Sequence, residues 1–156
     1  MYLSTITIEN FRSFGEGANR FDLPLKRGLT ALVGENDAGK TAVIDALRFA
    51  LGTTDQEWYR LEDTDFHGEG TSHEIRIGCK FEGLSARDHR AFVEYLTYGE
   101  KGEEPVLHVN WTAQDTGEIT RGRPYRRIEV RSGKDSNGPS MAPRVRELLR
   151  ATYLRP

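Results

Sequence analysis

Hydrophobic and polar residues alternate from Leu3 to Ile8, with Ile6 and Ile8 on one face and Thr5 and Thr7 on the other, which predicts a half-buried strand. A second short strand is expected around Arg20 to Leu23, stopped by Pro24, and the turn Lys26-Arg27-Gly28 leads into an apolar run, Gly28 to Val33, that reads as a buried strand. Thr41 to Leu51 is apolar on several sides and is closed by Gly52, the pattern of a helix held inside a layered α/β domain. Its one acidic residue, Asp45, reads as a surface carboxylate. Alternation resumes from Glu74 to Phe81, and Ser85 with Asp88 marks a capped helix running through Phe92, Val93 and Leu96. Pro105 to Ala113 and Gly117 to Val130 read as two strands joined across Asp115-Thr116-Gly117. After a Gly, Ser, Asn and Pro loop from Ser132 to Ser140, a helix capped by Ser140, with Pro143 in its first turn, is expected to reach about Tyr153.

Between the predicted strand at 28–33 and the helix at 41–51 lies Gly34-Glu35-Asn36-Asp37-Ala38-Gly39-Lys40-Thr41, which fits the phosphate-loop pattern GxxxxGK[ST] at every fixed position. In such a loop successive backbone N–H groups curl around an anionic phosphate and a helix N-terminus adds its positive dipole end. Gly34 and Gly39 permit the curl, Lys40 reaches the β and γ phosphates, and the Thr41 hydroxyl completes a Mg²⁺ shell, so a nucleotide with Mg²⁺ is the expected ligand.

Composition adds limits rather than a function. With 156 residues and 37% hydrophobic content the chain can bury one core. No run approaches the ~18 apolar residues of a membrane helix, and a cytoplasmic protein is expected. The single cysteine, Cys79, falls in step with Ile75, Ile77 and Phe81 and reads as a packed thiol. Residues 53–72 are polar and acidic (Asp55, Glu57, Glu62, Asp63, Asp65 and Glu69), with irregular spacing that favours a solvated linker over a metal site. The net charge of −2 hides an asymmetry: residues 121–156 hold nine arginines and one lysine against three carboxylates, a net of +7, which leaves −9 for residues 1–120. A basic segment of that density suits nucleic-acid phosphate or an acidic partner surface, or equally a solvated hairpin and helix face.

The order strand, Asn10-Phe11-Arg12-Ser13-Phe14, short strand, Gly34 to Thr41 and Asp45-Ala46-Leu47 resembles the N-terminal half of an ABC-type ATPase head of the RecF and SMC kind. The wording of the loop, the downstream Asp65-Phe66 and the ending Thr152-Tyr153-Leu154-Arg155-Pro156 resemble, more finely, the OLD (overcoming lysogenization defect) family of ATP-dependent endonucleases. The resemblance implies an α/β phosphate-loop NTPase fold, the N-terminal lobe of an ABC-type head with an accessory antiparallel β-sheet. Residues 1–52 would begin the nucleotide-binding core, 53–72 link, 73–131 form mostly antiparallel β with one helix, and 132–156 form a loop and basic helix. It also implies that Arg12 lies close to the nucleotide, that a second head joins in a homo-oligomer, and that a Toprim nuclease domain absent from these residues cuts DNA under ATP control, in phage defence. The alternative is a RecF- or SMC-like repair or architectural ATPase without a nuclease. A small-molecule kinase fits less well, because its phosphate-loop strand would come first in the chain. No apolar strand ending in Asp-Glu follows Thr41, and a Ser-rich signature loop is missing, so no catalytic residue is expected within these residues and the chain alone is expected not to hydrolyse ATP.

Overall fold

The computed structural model describes residues 1–35, 38–53, 60–68, 73–100 and 102–152. Six strands form one antiparallel sheet: β1 (Tyr2–Glu9), β2 (Phe21–Pro24), β3 (Glu74–Glu82), β4 (Leu96–Thr97), β5 (Val106–Thr120) and β6 (Arg123–Ser132). The order runs β2-β1-β3-β5, with β4 and β6 sharing the far edge of β5. Because Ile8 stands opposite Ile77, and Ile77 opposite Trp111, the first strands and the middle third of the chain share one apolar face.

That face is the core. Ile6, Ile8, Ile75, Ile77, Cys79, Leu107, Val109, Trp111 and Ala113 are all buried on it, as strict period-2 alternation requires. Helix α1 (Lys40–Leu51) covers it with Ala42, Val43, Ala46 and Ala50, small residues that let the helix backbone approach the sheet closely. Phe49 fills the remaining gap, its ring 5.9 Å from Phe11 edge-on and 5.2 Å from Trp111. Burial pushes the Cys79 thiol up to about 12, which makes it an inert packing group.

Four elements differ from the pattern-based expectation. The run at 28–33 is extended but is not a strand: Leu29 and Val33 are 99% and 93% exposed, and only Leu32 touches the core. A strand exists only beside a hydrogen-bonded neighbour, and among the described residues none of the six strands runs along this segment. The hairpin turn lies at Arg121-Gly122, both at positive φ (52° and 75°), as a two-residue primed turn demands. Asp115-Thr116-Gly117 is instead a bulge within β5: Asp115 Oδ1 accepts the Gly117 N–H at 2.9 Å, and the Thr116 hydroxyl donates to the Tyr125 carbonyl at 2.7 Å.

Helix α2 is only Ala86–Ala91, and Leu96 leaves it to pair with Leu107 as β4. Ser140 does not cap a helix; it bridges Arg131 beside β6 while the Met141 N–H bonds the Val130 carbonyl. Helix α3 is therefore one turn, Pro143–Arg146, followed by a 3-10 turn at Glu147–Leu149. The expected end at Tyr153 lies outside the described residues.

Candidate nucleotide site

Gly39 sits at the junction of loop and helix with φ 80°, a left-handed conformation that costs a side-chain-bearing residue about 1–2 kcal/mol. A Cβ there would also lie 2.9 Å from Phe14 Cζ. Two independent constraints, backbone hand and steric contact, therefore select glycine at this position. No side chain caps α1, and its first internal bond runs from the Val43 N–H to the Gly39 carbonyl. The amides of the first turn are thus left to an anion or to water.

Lys40 folds back across the loop. Its Nζ donates to the carbonyls of Gly34 at 2.7 Å and Glu35 at 2.5 Å, which pins the loop's start to its end. Ala38 closes a turn onto the Glu35 carbonyl at 3.3 Å, and Thr41 is exposed on the first helical turn. The structure thus brings Gly34, Glu35, Ala38, Gly39, Lys40 and Thr41 together; Asn36 and Asp37 lie outside the described residues.

The Asn10 to Phe14 segment forms the wall of this site. Phe11 and Phe14 exchange backbone hydrogen bonds of 3.0 and 2.9 Å, making a tight loop that holds Asn10 and Arg12 at φ 55° and 52°. Strain of this kind persists only where the surroundings over-determine it. Here Phe11 is fully buried and the Arg12 N–H bonds the Asp65 carbonyl at 2.8 Å. The Arg12 guanidinium donates to Asp45 at 2.7 Å and to Asp65 at 2.9 Å, and the His67 ring nitrogen Nδ1 meets the Arg12 carbonyl at 2.7 Å. Ser13 and Phe14 are thereby pressed against Gly39, within 3.5 and 2.9 Å of where its Cβ would be. Arg12 itself is engaged by two carboxylates, while its neighbours supply the contact with the loop.

Asp45 and Asp65 are the residues that pattern reading missed. Asp45 is 6% exposed, not a surface carboxylate, and also receives Arg48 at 3.3 Å. Its signal was present in the chain: a lone acid in an apolar helix seldom sits in the core without a cationic partner. Asp65 closes a reciprocal cap with Glu62, and Phe66 beside it is a core residue. Among the described residues no group of three His, Cys, Asp or Glu side chains is placed to hold a metal, and no helix is long and apolar enough to cross a membrane.

A glycine-hinged loop closed by its own lysine at the head of a helix, walled by a strained Asn-Phe-Arg turn and backed by an antiparallel sheet, defines the N-terminal part of an ABC-type phosphate-loop ATPase head. The chain belongs to the AAA domain family, whose model matches residues 5–143. It is 50% identical over 52 residues to the chromosome partition protein Smc of Chlorobaculum tepidum, covering 33% of this chain and 4% of that one. It is 25% identical over 153 residues to the DNA double-strand break repair Rad50 ATPase of Methanococcus maripaludis, covering 94% of this chain and 15% of that one. A solved structure described under "ATP-driven dimerization and DNA stimulated activation of SMC ATPases" shares the fold at TM-score 0.57 and 19% identity, over 96% of this chain and 77% of the other. The chain thus spans only a small fraction of the curated relatives it matches.

Proposed function

We propose that these residues are the ATP-binding part of an SMC- or Rad50-like ATPase that works on DNA. The observation that carries this reading is Lys40 pinned across Gly34 and Glu35 at the uncapped start of α1, with the Asn10 to Phe14 wall beside it. The donors fit the group: first-turn amides and a lysine ammonium suit the phosphates of ATP, and the Thr41 hydroxyl suits Mg²⁺, which neutralises phosphate charge when bound. Adjacent to this site, the Arg12, Asp45 and Asp65 network keeps the wall rigid. Hydrolysis additionally needs an acidic strand end and a residue that positions water. We assign these to segments other than the present residues, together with a second head.

The SMC and Rad50 relatives support this reading over the OLD-type nuclease. Asp65-Phe66, part of the OLD-like wording, has local structural duties here, holding Arg12 and filling the core. The coding sequence following Pro156 separates the two: a long coiled coil agrees with the SMC type, a Toprim domain with the OLD type. The site itself is tested by titrating the purified chain with a fluorescent ATP analogue and Mg²⁺. Lys40→Ala is expected to weaken binding by about 10- to 100-fold, the worth of a charge-assisted hydrogen bond. Equal affinity in the wild type and Lys40→Ala would overturn the assignment.

A further inference from the structure

The basic C-terminal segment, residues 121–156, is not uniform. Arg150 is paired with Glu147 at 3.6 Å, Arg146 is partly buried, and Arg131 donates to the Ser136 carbonyl at 3.1 Å. In contrast Arg121, Arg123 and Arg127, on the β5–β6 hairpin, are exposed and face no carboxylate partner among the described residues.

The hairpin also leaves the sheet. Pairing of β3 with β5 stops at Glu74 opposite Gln114, and one further bond runs from the Asp115 N–H to the His73 carbonyl. Beyond it, among the described residues, the two strands pair only with each other out to the turn at Arg121-Gly122. The arm is nevertheless braced at its root. Arg126 donates to the Leu61 carbonyl and the Asp63 carboxylate, and its guanidinium lies 5.3 Å from the Phe66 ring centre. Period-2 alternation puts Arg126 on one face of β6 and Arg123, Tyr125 and Arg127 on the other. One face is therefore committed to the fold, and the opposite face presents two arginines flanking a 44%-exposed tyrosine.

We propose that this hairpin is a duplex-DNA binding arm, with Arg121, Arg123 and Arg127 contacting phosphates. This rests on the DNA-directed reading of the chain and places the contact on the hairpin, not on the C-terminal arginines. The spacing suits a duplex: Arg123 and Arg127 are four residues apart on a strand, ~13 Å, against a major groove of ~12 Å that admits a two-stranded ribbon. Arginine to phosphate contacts carry no sequence information, so the arm binds duplexes irrespective of sequence.

Fluorescence anisotropy of the full chain with a fluorescein-labelled 30-base-pair duplex of mixed sequence tests this, over a salt series. The triple variant Arg121→Gln, Arg123→Gln, Arg127→Gln is expected to bind about tenfold or more weakly and to flatten the slope of log K against log salt by about 2–3, at roughly 0.9 per lost phosphate contact. The triple Arg→Lys variant should keep most of the binding, and the melting temperatures of both should match wild type because the three arginines are exposed and have no carboxylate partner among the described residues. Arg144→Gln with Arg150→Gln should leave binding unchanged. Unaltered affinity and slope in the Gln triple, or loss through Arg144 and Arg150 instead, overturns the hairpin assignment. Preference for a 30-nucleotide oligo-dT, removed by Tyr125→Ala, overturns the duplex. Wild-type chain that binds no DNA at low salt removes the DNA-directed reading itself.

Discussion

Asp45→Asn isolates the charge network behind the phosphate loop. The Asp45 side chain is 8% exposed, Arg48 11% and Arg12 27%. Breaking a fully buried ion pair from one side costs about 3–5 kcal/mol, because the partner's charge stays buried. The cost here is smaller on two counts: Arg12 keeps Asp65 at 2.9 Å, and its own side chain reaches water. The amide retains one acceptor oxygen but turns an NH₂ toward guanidinium donors, so a loss of about 2–3 kcal/mol is expected. For a chain of this size that is a fall of about 4–12 °C in Tm, followed by far-UV circular dichroism, with the free energy taken from urea unfolding. A surface carboxylate, the expectation from the helix pattern, would change stability by less than about 0.5 kcal/mol. Combining Asp45→Asn with Arg12→Met should be less damaging than the sum of the two, with a coupling of about 1 kcal/mol or more. A melting point within a degree of wild type, or strict additivity, would refute the network.

Gly39→Ala should lose both nucleotide binding and stability, because a Cβ at φ 80° adds about 1–2 kcal/mol of strain and would also meet Phe14 at 2.9 Å. Full ATP-analogue affinity in that variant would contradict the loop geometry. Asp88→Ala should lower Tm at neutral pH, since Asp88 accepts the Ser85 N–H at 2.9 Å in a reciprocal cap worth about 1 kcal/mol. The Ser85 backbone bond, first among the causes, holds the Asp88 carboxyl down at about 2, below its ordinary value of 3.8. Its stabilisation is therefore complete above the unfolded value and disappears as pH falls through about 4 toward 2; Tm measured across pH 6 to 2 should show the wild-type and variant curves converging. Curves that stay parallel down to pH 2 would show that the carboxylate is not the source.

Elements whose partners are near in sequence, or whose pattern is strictly alternating, were legible in the chain. Ile6 and Ile8, and Ile75 and Ile77, announce themselves by period and are buried as that period requires, while the phosphate-loop motif is legible by its fixed residues, of which Gly39 and Lys40 stand at the head of α1. The turn of the long hairpin was not legible, because Arg121-Gly122 lacks the Asn or Asp that usually marks a primed turn, whereas Asp115-Thr116-Gly117 has turn chemistry and spends it on a bulge. Nor was the Arg12 network, since Asp45 and Asp65 are 33 and 53 residues from Arg12 and neither spacing carries a periodic signal.

The segment at 28–33 presents the opposite problem, for its pattern is that of a buried strand and its environment is not. Leu29 and Val33 lie almost wholly in solvent while Leu32, on the other side of the extended run, packs on the core, so one side of an apolar run is covered and the other bare. Local sequence and local structure disagree where a required neighbour is not among the described residues, since hydrogen-bonded pairing is what turns an extended apolar run into a strand. Gly34 follows directly from that run and its carbonyl accepts from Lys40 Nζ at the head of α1, so the start of the phosphate loop depends on where the run lies. In this reading nucleotide affinity should rise when the bare side is covered, because a loop anchored at both ends loses less entropy on closing around phosphate than one anchored only at α1.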